Sequence, residues 1–242
     1  MKRPKKTPEA IYEARASLAD FRPLRDISGQ FLLFIIYLED SEFYHHKRGY
    51  EPYIIRDTLR CVLHGDLSHG GSTITQQLVK NLYFTFEKRL KRKLLELPRS
   101  AYLEKHLTKN QILELYVNTA YFDNGQYGIC NASHFYFGKE PGDLTVNQAF
   151  FLAAILPVVG IYNPLYHPVK YHRHLQDRLR RNIFLNRYLS PEQRAEIERH
   201  TADCLDEELC HATPETDRYN APGPMVNERF GPGGWDCLTD KN

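Results

Sequence analysis

The stretch GGSTITQQLVKN, residues 70–81, predicts a loop that enters a capped helix. Thr73 followed three residues later by Gln76 has the pattern of a capping box, so the helix is expected to start near Ile74. At about 100° per residue, one side of this helix is largely apolar. That side carries Ile74, Leu78, Leu82 and Thr85, whereas Thr73, Gln76, Gln77 and Lys80 lie on another. The polar side can bind sugar hydroxyls or phosphate oxygens, and an ordinary capped surface helix is the alternative.

The composition is that of an ordinary globular protein. Of 242 residues, 42% are hydrophobic and 26% are charged, which is enough for one sizeable core or two small ones. A net charge of +2 gives no reason to expect a nucleic-acid-binding protein. Basic residues nevertheless cluster in two runs, and such runs are more often solvated helix faces than sites. The first run contains Lys88, Arg89, Lys91, Arg92, Lys93, Arg99 and Lys105, and the second contains Arg173, Arg178, Arg180, Arg181 and Arg187.

The cysteines and histidines show no metal-binding pattern. Five cysteines without a C-x-x-C pair predict neither a zinc finger nor a disulfide framework, and a Cys204–Cys210 bridge is left open. The pairs His45-His46 and His172-x-His174 lack the i, i+4 spacing of a helical metal pair. The sequence therefore predicts no protein-bound metal of this kind.

No stretch is long and apolar enough to span a membrane. The longest apolar run covers residues 31–38, far short of the roughly 18–20 residues that a span requires. The first ten residues, MKRPKKTPEA, are basic but are followed by no apolar region, so they do not resemble a signal peptide.

Two carboxylates stand in contrasting charge environments. Glu39 follows the apolar run and is adjacent to Asp40, with Glu42 nearby. Desolvation and neighbouring negative charge both raise the pKa of a carboxyl, which suits a general base near neutral pH. An acidic turn after a core helix is the alternative interpretation of Glu39.

Glu96 instead follows cations. On a helix, Arg92 and Lys93 would share its face, and nearby positive charge keeps a carboxylate ionised and makes it a poor proton donor. A glycosidase must protonate its leaving group, whereas a diphosphate leaving group needs cations or a divalent metal. The pattern therefore favours transfer from a diphosphate-linked sugar, provided that the segment is helical despite Pro98.

Coarse periodicity predicts a mainly α protein. An N-terminal leader, residues 1–25, is expected to be polar and loose, and the tail, residues 201–242, to be weakly structured. The apolar run that ends at Glu39 is compatible with a helix capped by Ser28 or with a buried strand. Further helices are expected after Thr108, over residues 144–156 and 169–188, and after Ser190.

These motifs, in their order, resemble those of the peptidoglycan glycosyltransferases, glycosyltransferase family 51. The first motif, E-D-x-x-F-x-x-H-x-G, resembles Glu39, Asp40, Phe43 and His46, with the glycine one residue late at Gly49. The second is the stretch 70–81, the third is Arg92, Lys93 and Glu96, and the fourth is Lys109, Ile112, Leu113, Glu114, Tyr116 and Asn118. Later similarities are Gly125, Tyr127, Gly128, residues 136–139, Ala153, Ala154, Leu156, Pro157, Tyr162, Asn163, Pro164 and residues 180–188.

The resemblance implies a fold and an activity. The fold would be a lysozyme-like helical domain over residues 26–200, with a small jaw subdomain at roughly 45–90. The enzyme would polymerise lipid II on the outer face of the bacterial cytoplasmic membrane, as a peripheral or truncated member. Its partners would be lipid II, the growing glycan strand, the membrane surface and cell-wall synthesis proteins, but no nucleic acid. The apolar and basic residues that would dip into the membrane interface are Tyr83, Phe84, Phe86, Lys88 and Arg89.

The resemblance also implies roles for residues. Glu39 would deprotonate the 4-hydroxyl of the acceptor GlcNAc, which attacks the anomeric carbon of the donor MurNAc with inversion. Lys80, Arg92 and Lys93 would hold the undecaprenyl diphosphate, and Glu96 would orient them or a divalent cation, Mg²⁺ or Mn²⁺. No covalent cofactor is implied. Further substrate contacts would come from Asp40, Ser72, Thr73, Gln76, Gln77, Asn81 and Asn163.

Two alternatives stay open at this point: a lysozyme-like hydrolase of finished peptidoglycan, and a non-catalytic module that binds lipid-linked precursors. Neither an S-x-x-K nor a K-T-G motif occurs in the sequence, so we expect no transpeptidase function here.

Overall fold

The structure is a computed structural model that describes residues 7–50, 72–84 and 89–200. Within these ranges it is built from helices, and the β pairing there is an isolated bridge between Tyr121 and Tyr127. The mainly α class predicted from the sequence is confirmed. The α-helices are α1 (Pro8–Ala16), α2 (Gly29–Glu39), α3 (Ile74–Tyr83), α4 (Arg89–His106), α5 (Lys109–Thr119), α6 (Ile129–Phe137), α7 (Val146–Ile155), α8 (Pro168–Arg181), α9 (Ile183–Tyr188) and α10 (Pro191–His200).

The described residues divide into two compact units. The first contains the residues up to Leu18 and those from Glu42 to Tyr116; the second contains Ala19–Ser41 and the residues from Val117 onward. The predicted domain boundaries, with a jaw at roughly 45–90, stay a prediction. No helix in the described ranges has the length and apolarity needed to cross a membrane.

Helix α3 of the first unit begins where the capping box predicts. The Thr73 hydroxyl accepts a hydrogen bond from the Gln76 backbone N–H at 3.2 Å, and Gln76 Oε1 accepts one from the Thr73 N–H at 3.0 Å. The apolar side of the helix packs against α4, with Ile74, Leu78 and Leu82 almost fully buried. Thr85, which was assigned to the same side, lies outside the described residues.

Helix α4 runs from Arg89 to His106 and continues through Pro98. Glu96 is therefore part of a helix, as its predicted charge environment requires. The side chains of Arg92 and Lys93 lie outside the described set, so their predicted place beside Glu96 stays a prediction.

The loose leader expected over residues 1–25 contains a helix instead. Thr7 caps α1 by accepting a hydrogen bond from the Ala10 N–H at 3.3 Å, and Ile11 is buried. The Tyr12 hydroxyl donates to Glu114, and His106 Nδ1 lies 2.9 Å from Glu9 Oε1. A helix forms here because these contacts with distant residues stabilise a segment whose own composition is polar.

The second unit has α2 and α7 at its core. Helix α2 is apolar on most sides, and Phe31, Phe34 and Ile35 are fully buried. The Phe34 ring meets Phe150 of α7 edge-on at 5.2 Å. The apolar run before Glu39 is thus a helix and not a strand, because a helix that is apolar all round is stable when it is enclosed by others. Ser28 precedes α2 as predicted, but its side chain makes no capping hydrogen bond.

Two of the observed helices end at residues different from those predicted. The helix expected over 144–156 is observed as Val146–Ile155, followed by a 3₁₀ turn that contains Pro157. The helix expected over 169–188 is interrupted at Asn182. Asn182 Oδ1 accepts from the Leu185 N–H, and its Nδ2 donates to the Tyr37 carbonyl, both at 2.9 Å. The break allows one side chain to cap α9 and to contact the end of α2.

Candidate functional site

Glu39 is the last residue of α2. The helix ends there because Asp40 leaves the helical conformation after its N–H bonds the Ile36 carbonyl at 2.8 Å. The Glu39 side chain is only 6% exposed. Since α2 is enclosed by the apolar core of its unit, the carboxylate is fixed at the end of a rigid element, as a catalytic group requires.

An arginine accompanies this carboxylate. Arg178 Nη2, on α8, lies 3.7 Å from Glu39 Oε1. Burial disfavours the charged form of a carboxyl, whereas a nearby guanidinium favours it. Arg178 is far from Glu39 in the sequence, so only the acidic neighbours of Glu39 were visible there and no local pattern indicated this pair. The raised pKa expected for Glu39 stays a prediction.

Helix α8 places Arg178 through an apolar stripe. Tyr171, Leu175 and Leu179 recur every four residues and are almost fully buried. The Tyr171 hydroxyl donates to the Phe151 carbonyl of α7 at 2.6 Å. Periodicity distinguishes the arginines of this run, because Arg178 flanks the buried stripe while the side chain of Arg181 is 83% exposed.

His174 lies one turn before Arg178 on the same helix. Burial and the Arg178 guanidinium both lower the pKa of His174, whose Nε2 lies 3.2 Å from the Ala154 carbonyl oxygen. His174 is therefore neutral at neutral pH and adds no second positive charge next to Arg178.

The predicted polar side of α3 combines structural and accessible groups. Thr73 and Gln76 are buried and form the capping box, and the Thr73 hydroxyl also donates to the Gly49 carbonyl. Gln77 is half-buried: its Oε1 accepts from the Tyr116 hydroxyl at 3.0 Å, and its Nε2 donates to the Ser72 carbonyl at 3.4 Å. Lys80 is exposed.

A buried polar cluster lies beside this helix in the first unit. Glu104, with its side chain 4% exposed, accepts hydrogen bonds from the Thr75 hydroxyl at 2.6 Å and from Lys109 Nζ at 2.7 Å. Lys109 Nζ also lies 3.1 Å from His46 Nδ1 and 4.6 Å from the centre of the Phe43 ring. The first, second and fourth motifs thus meet at one carboxylate. Glu104 belongs to none of those motifs, so no local pattern indicated it.

The late glycine of the first motif has a structural reason. Gly49 adopts φ +69°, and a Cβ built there would lie 2.8 Å from Thr75 Cγ2. Only a glycine tolerates both this backbone conformation and this close approach. Its position is set by contact with α3 and not by the spacing from Glu39.

Glu96 is 3% exposed on α4, and its backbone carbonyl accepts from the Ser100 hydroxyl at 2.8 Å. The predicted site residues divide between the two units. Ser72, Thr73, Gln76, Gln77, Lys80, Asn81 and Glu96 belong to the first unit, and Glu39, Asp40 and Asn163 belong to the second.

Asn163 is buried and organises its own loop. Its Oδ1 accepts from the Leu165 N–H, and its Nδ2 donates to Asn124 Oδ1, both at 2.9 Å. The neighbouring Asp123 accepts from the Gly160 N–H at 3.1 Å, and burial raises the pKa of Asp123 to about 6. These bonds use both ends of the Asn163 amide. The substrate contact predicted for Asn163 stays a prediction.

Comparison with known proteins gives a family and several relatives. The family model described as "Transglycosylase" matches residues 7–188, most of the chain. The chain is 44% identical over 145 residues to penicillin-binding protein 4 of Bacillus subtilis, covering 60% of this chain and 23% of that protein. It is 42% identical over 161 residues to penicillin-binding protein 1A of Aquifex aeolicus, covering 64% and 21%. For penicillin-binding protein 1A of Escherichia coli the identity is 39% over 154 residues, covering 62% and 17%. The matched region spans about a fifth of the length of these relatives.

Proposed function

We propose, since this chain belongs to the transglycosylase family, that it is a peptidoglycan glycosyltransferase that polymerises lipid II into β-1,4-linked glycan strands and releases undecaprenyl diphosphate. The observation that carries the proposal is the buried Glu39 carboxylate beside Arg178, at the first motif of a chain matched by that family over residues 7–188.

Glu39 serves as the general base in this proposal. Its carboxylate removes the proton of the acceptor 4-hydroxyl while that oxygen attacks the anomeric carbon of the donor. The bond from that carbon to the diphosphate oxygen breaks, the electron pair leaves with the diphosphate, and the configuration inverts. The Arg178 guanidinium, 3.7 Å away, favours the charged form of the Glu39 carboxyl, which is the form that accepts a proton.

Positive charge takes up the charge that develops on the leaving group. Lys80 is exposed in the last turn of α3, and Arg92 and Lys93 are proposed to act with it. An oxygen-ligated divalent cation would supply further positive charge there, and the Glu96 carboxylate is the type of ligand that Mg²⁺ or Mn²⁺ prefers. Every residue role proposed here holds without that cation.

The remaining contacts are proposed for the sugars. Ser72, Gln77 and Asn81 offer hydroxyl and amide groups that are only partly buried, and Asp40 adjoins the base. Thr73, Gln76 and Asn163 act chiefly by fixing the loops that carry such groups, because their side chains are engaged in the capping box and in the Asn124 contact.

The hydrolase alternative is disfavoured because the family is that of the transglycosylases. A hydrolase would also need a protonated carboxylic acid that donates its proton to the leaving group. We further propose that the protein acts at the outer face of the cytoplasmic membrane, together with other cell-wall synthesis proteins. The membrane contact predicted for residues 83–89 does not include Phe84, which is 7% exposed with the Arg99 guanidinium 4.7 Å from its ring centre.

The test is incubation of the purified protein with labelled lipid II in detergent, followed by gel electrophoresis of the products. A ladder of polymer is the expected result. Release of reducing sugars from finished peptidoglycan without polymerisation would indicate the hydrolase, and binding of lipid II without turnover would indicate a non-catalytic module.

A further inference from the structure

Three side chains with metal-binding atoms converge on one surface of the second unit. They are Cys130 and His134 of α6 and Glu140, which follows the helix. One ligand atom from each lies within 4.8 Å of the other two. Cys130 is buried, while the side chains of His134 and Glu140 are about half exposed. The thiol is thus the buried member of the cluster, and the imidazole and the carboxylate are its solvent-exposed members.

The backbone positions all three residues. Cys130 and His134 are four residues apart on a helix, so they share one face. Gly138 ends the helix at φ +64°, and its N–H bonds the His134 carbonyl at 2.9 Å. The reversed chain is fixed by the Ser133 hydroxyl, which donates to the Lys139 carbonyl at 2.6 Å. The turn therefore returns Glu140 to His134, with Oε1 2.9 Å from Nε2.

A surrounding arginine orients the carboxylate. Arg22 Nε donates to Glu140 Oε2 at 3.0 Å, which leaves Oε1 directed at His134. Arg22 is itself held at its backbone by Asn118, whose side chain bonds the Arg22 N–H and carbonyl, each at 2.8 Å.

We propose that Cys130, His134 and Glu140 form a binding site for Zn²⁺. A thiolate, an imidazole and a carboxylate together are the donor set that suits this borderline-soft ion. Bond lengths of about 2.0–2.3 Å in a tetrahedral site place ligand atoms roughly 3.3–3.7 Å apart. The half-exposed side chains of His134 and Glu140 are the ones that must adjust to reach such separations. Three protein ligands leave a fourth position for water, and Arg22 acts from outside as the partner that orients a ligand.

The site is independent of the proposed glycosyltransferase reaction, because none of its residues has a role in that reaction. Its i, i+4 pair is a cysteine with a histidine, Cys130 and His134, which a pattern of two histidines does not reveal.

The test uses the full chain under reducing conditions and Co²⁺ as a spectroscopic substitute for Zn²⁺. We expect one Co²⁺ per chain with an intense thiolate-to-cobalt absorption band, displaced by Zn²⁺. Cys130→Ser should remove the band, and His134→Gln and Glu140→Gln should each weaken binding by at least about tenfold. These two changes alter exposed side chains, so they leave the fold intact even if Cys130→Ser does not.

His45→Gln is the matched control, because His45 is an exposed histidine 3.4 Å from Glu42 that belongs to no cluster of three metal-binding side chains within the described residues. This variant should bind Co²⁺ like the wild type. The proposal is overturned if Co²⁺ does not bind at micromolar concentrations, if the band persists in Cys130→Ser, or if His134→Gln and Glu140→Gln bind as tightly as the wild type.

Discussion

Arg178 Nη2 lies 3.7 Å from Glu39 Oε1, and the two residues are carried by helices α8 and α2 of the same compact unit. Both helices are fixed by buried side chains, Phe34 and Ile35 on α2 and Leu175 and Leu179 on α8. The pair is thus held by the core and not by a surface loop. A carboxylate that is buried for precise placement would tend to become neutral, and the arginine counters that tendency.

Glu39→Gln should abolish polymerisation while the protein stays folded. The amide has nearly the same shape but cannot accept the proton of the acceptor hydroxyl, and a general base typically contributes roughly 10²–10⁴-fold. Polymer formation from labelled lipid II measures the loss, and thermal unfolding measures the fold. If the variant retains more than about a tenth of the wild-type rate, Glu39 is not the base.

Arg178→Gln should lower kcat by about tenfold or more, with a smaller change in KM, because in the proposed mechanism Arg178 acts on the base and not on the substrate. Arg178→Lys should restore part of the rate, since it keeps the charge. Arg181→Gln is the control: Arg181 is on the same helix, is 83% exposed and pairs with Asp177 at 3.9 Å. Equal losses in the two glutamine variants would show that Arg178 has no special role.

Local signals in the sequence predicted helix starts well. The capping boxes at Thr73 and Thr108 involve residues three positions apart, so the whole interaction is visible in the sequence. Ser190 likewise caps α10, accepting from the Gln193 N–H at 3.2 Å. The mainly α class followed from such elements together with the family resemblance.

Features that depend on tertiary contacts could not be predicted in this way. The run before Glu39 was open between helix and strand until its packing against α7 was known. Glu104 and Arg178 became significant only because the fold places them beside Lys109 and Glu39. The break at Asn182 likewise depends on the Tyr37 carbonyl, far away in sequence.

Gly49→Ala should destabilise the protein by about 2–4 kcal/mol. Gly49 has φ +69°, and a new Cβ would lie 2.8 Å from Thr75 Cγ2, so backbone strain and overpacking both contribute. Gly29→Ala is the matched control, because a Cβ at the start of α2 would meet no atom within 4 Å. Urea denaturation compares the two. Equal stability of the two variants would contradict the close approach at Gly49.

Asp123→Asn should make stability less dependent on pH. Burial raises the pKa of Asp123 from 3.8 to about 6 in the folded protein. The stabilisation by its neutral form is complete below about pH 4 and is lost as the pH rises through 6. At about pH 8 the variant should therefore be more stable than the wild type by up to about 3 kcal/mol. Asparagine keeps an oxygen for the Gly160 N–H and tolerates the positive φ of Asp123.

Urea denaturation at about pH 4 and pH 8 measures this difference. Asp143→Asn is the control for removal of one negative charge, because Asp143 is exposed whereas Asp123 is buried. A wild type that is as stable as Asp123→Asn, or more so, at the higher pH would refute the prediction.

Alanine variants of Lys80 and Lys109 should distinguish a lysine that binds substrate from a lysine that stabilises the fold. Lys109 bonds the buried Glu104 at 2.7 Å, so Lys109→Ala leaves a buried carboxylate without its cation and should destabilise the protein by about 3–5 kcal/mol. Lys80 is exposed, so Lys80→Ala should change stability by no more than about 0.5 kcal/mol. In its proposed role at the departing diphosphate, its charge would contribute several kcal/mol in the transition state, so polymerisation should fall by about 10²-fold or more. Melting temperatures and polymer yields from labelled lipid II test both variants. A Lys80→Ala protein that melts early, or one that polymerises at the wild-type rate, would remove Lys80 from the diphosphate site.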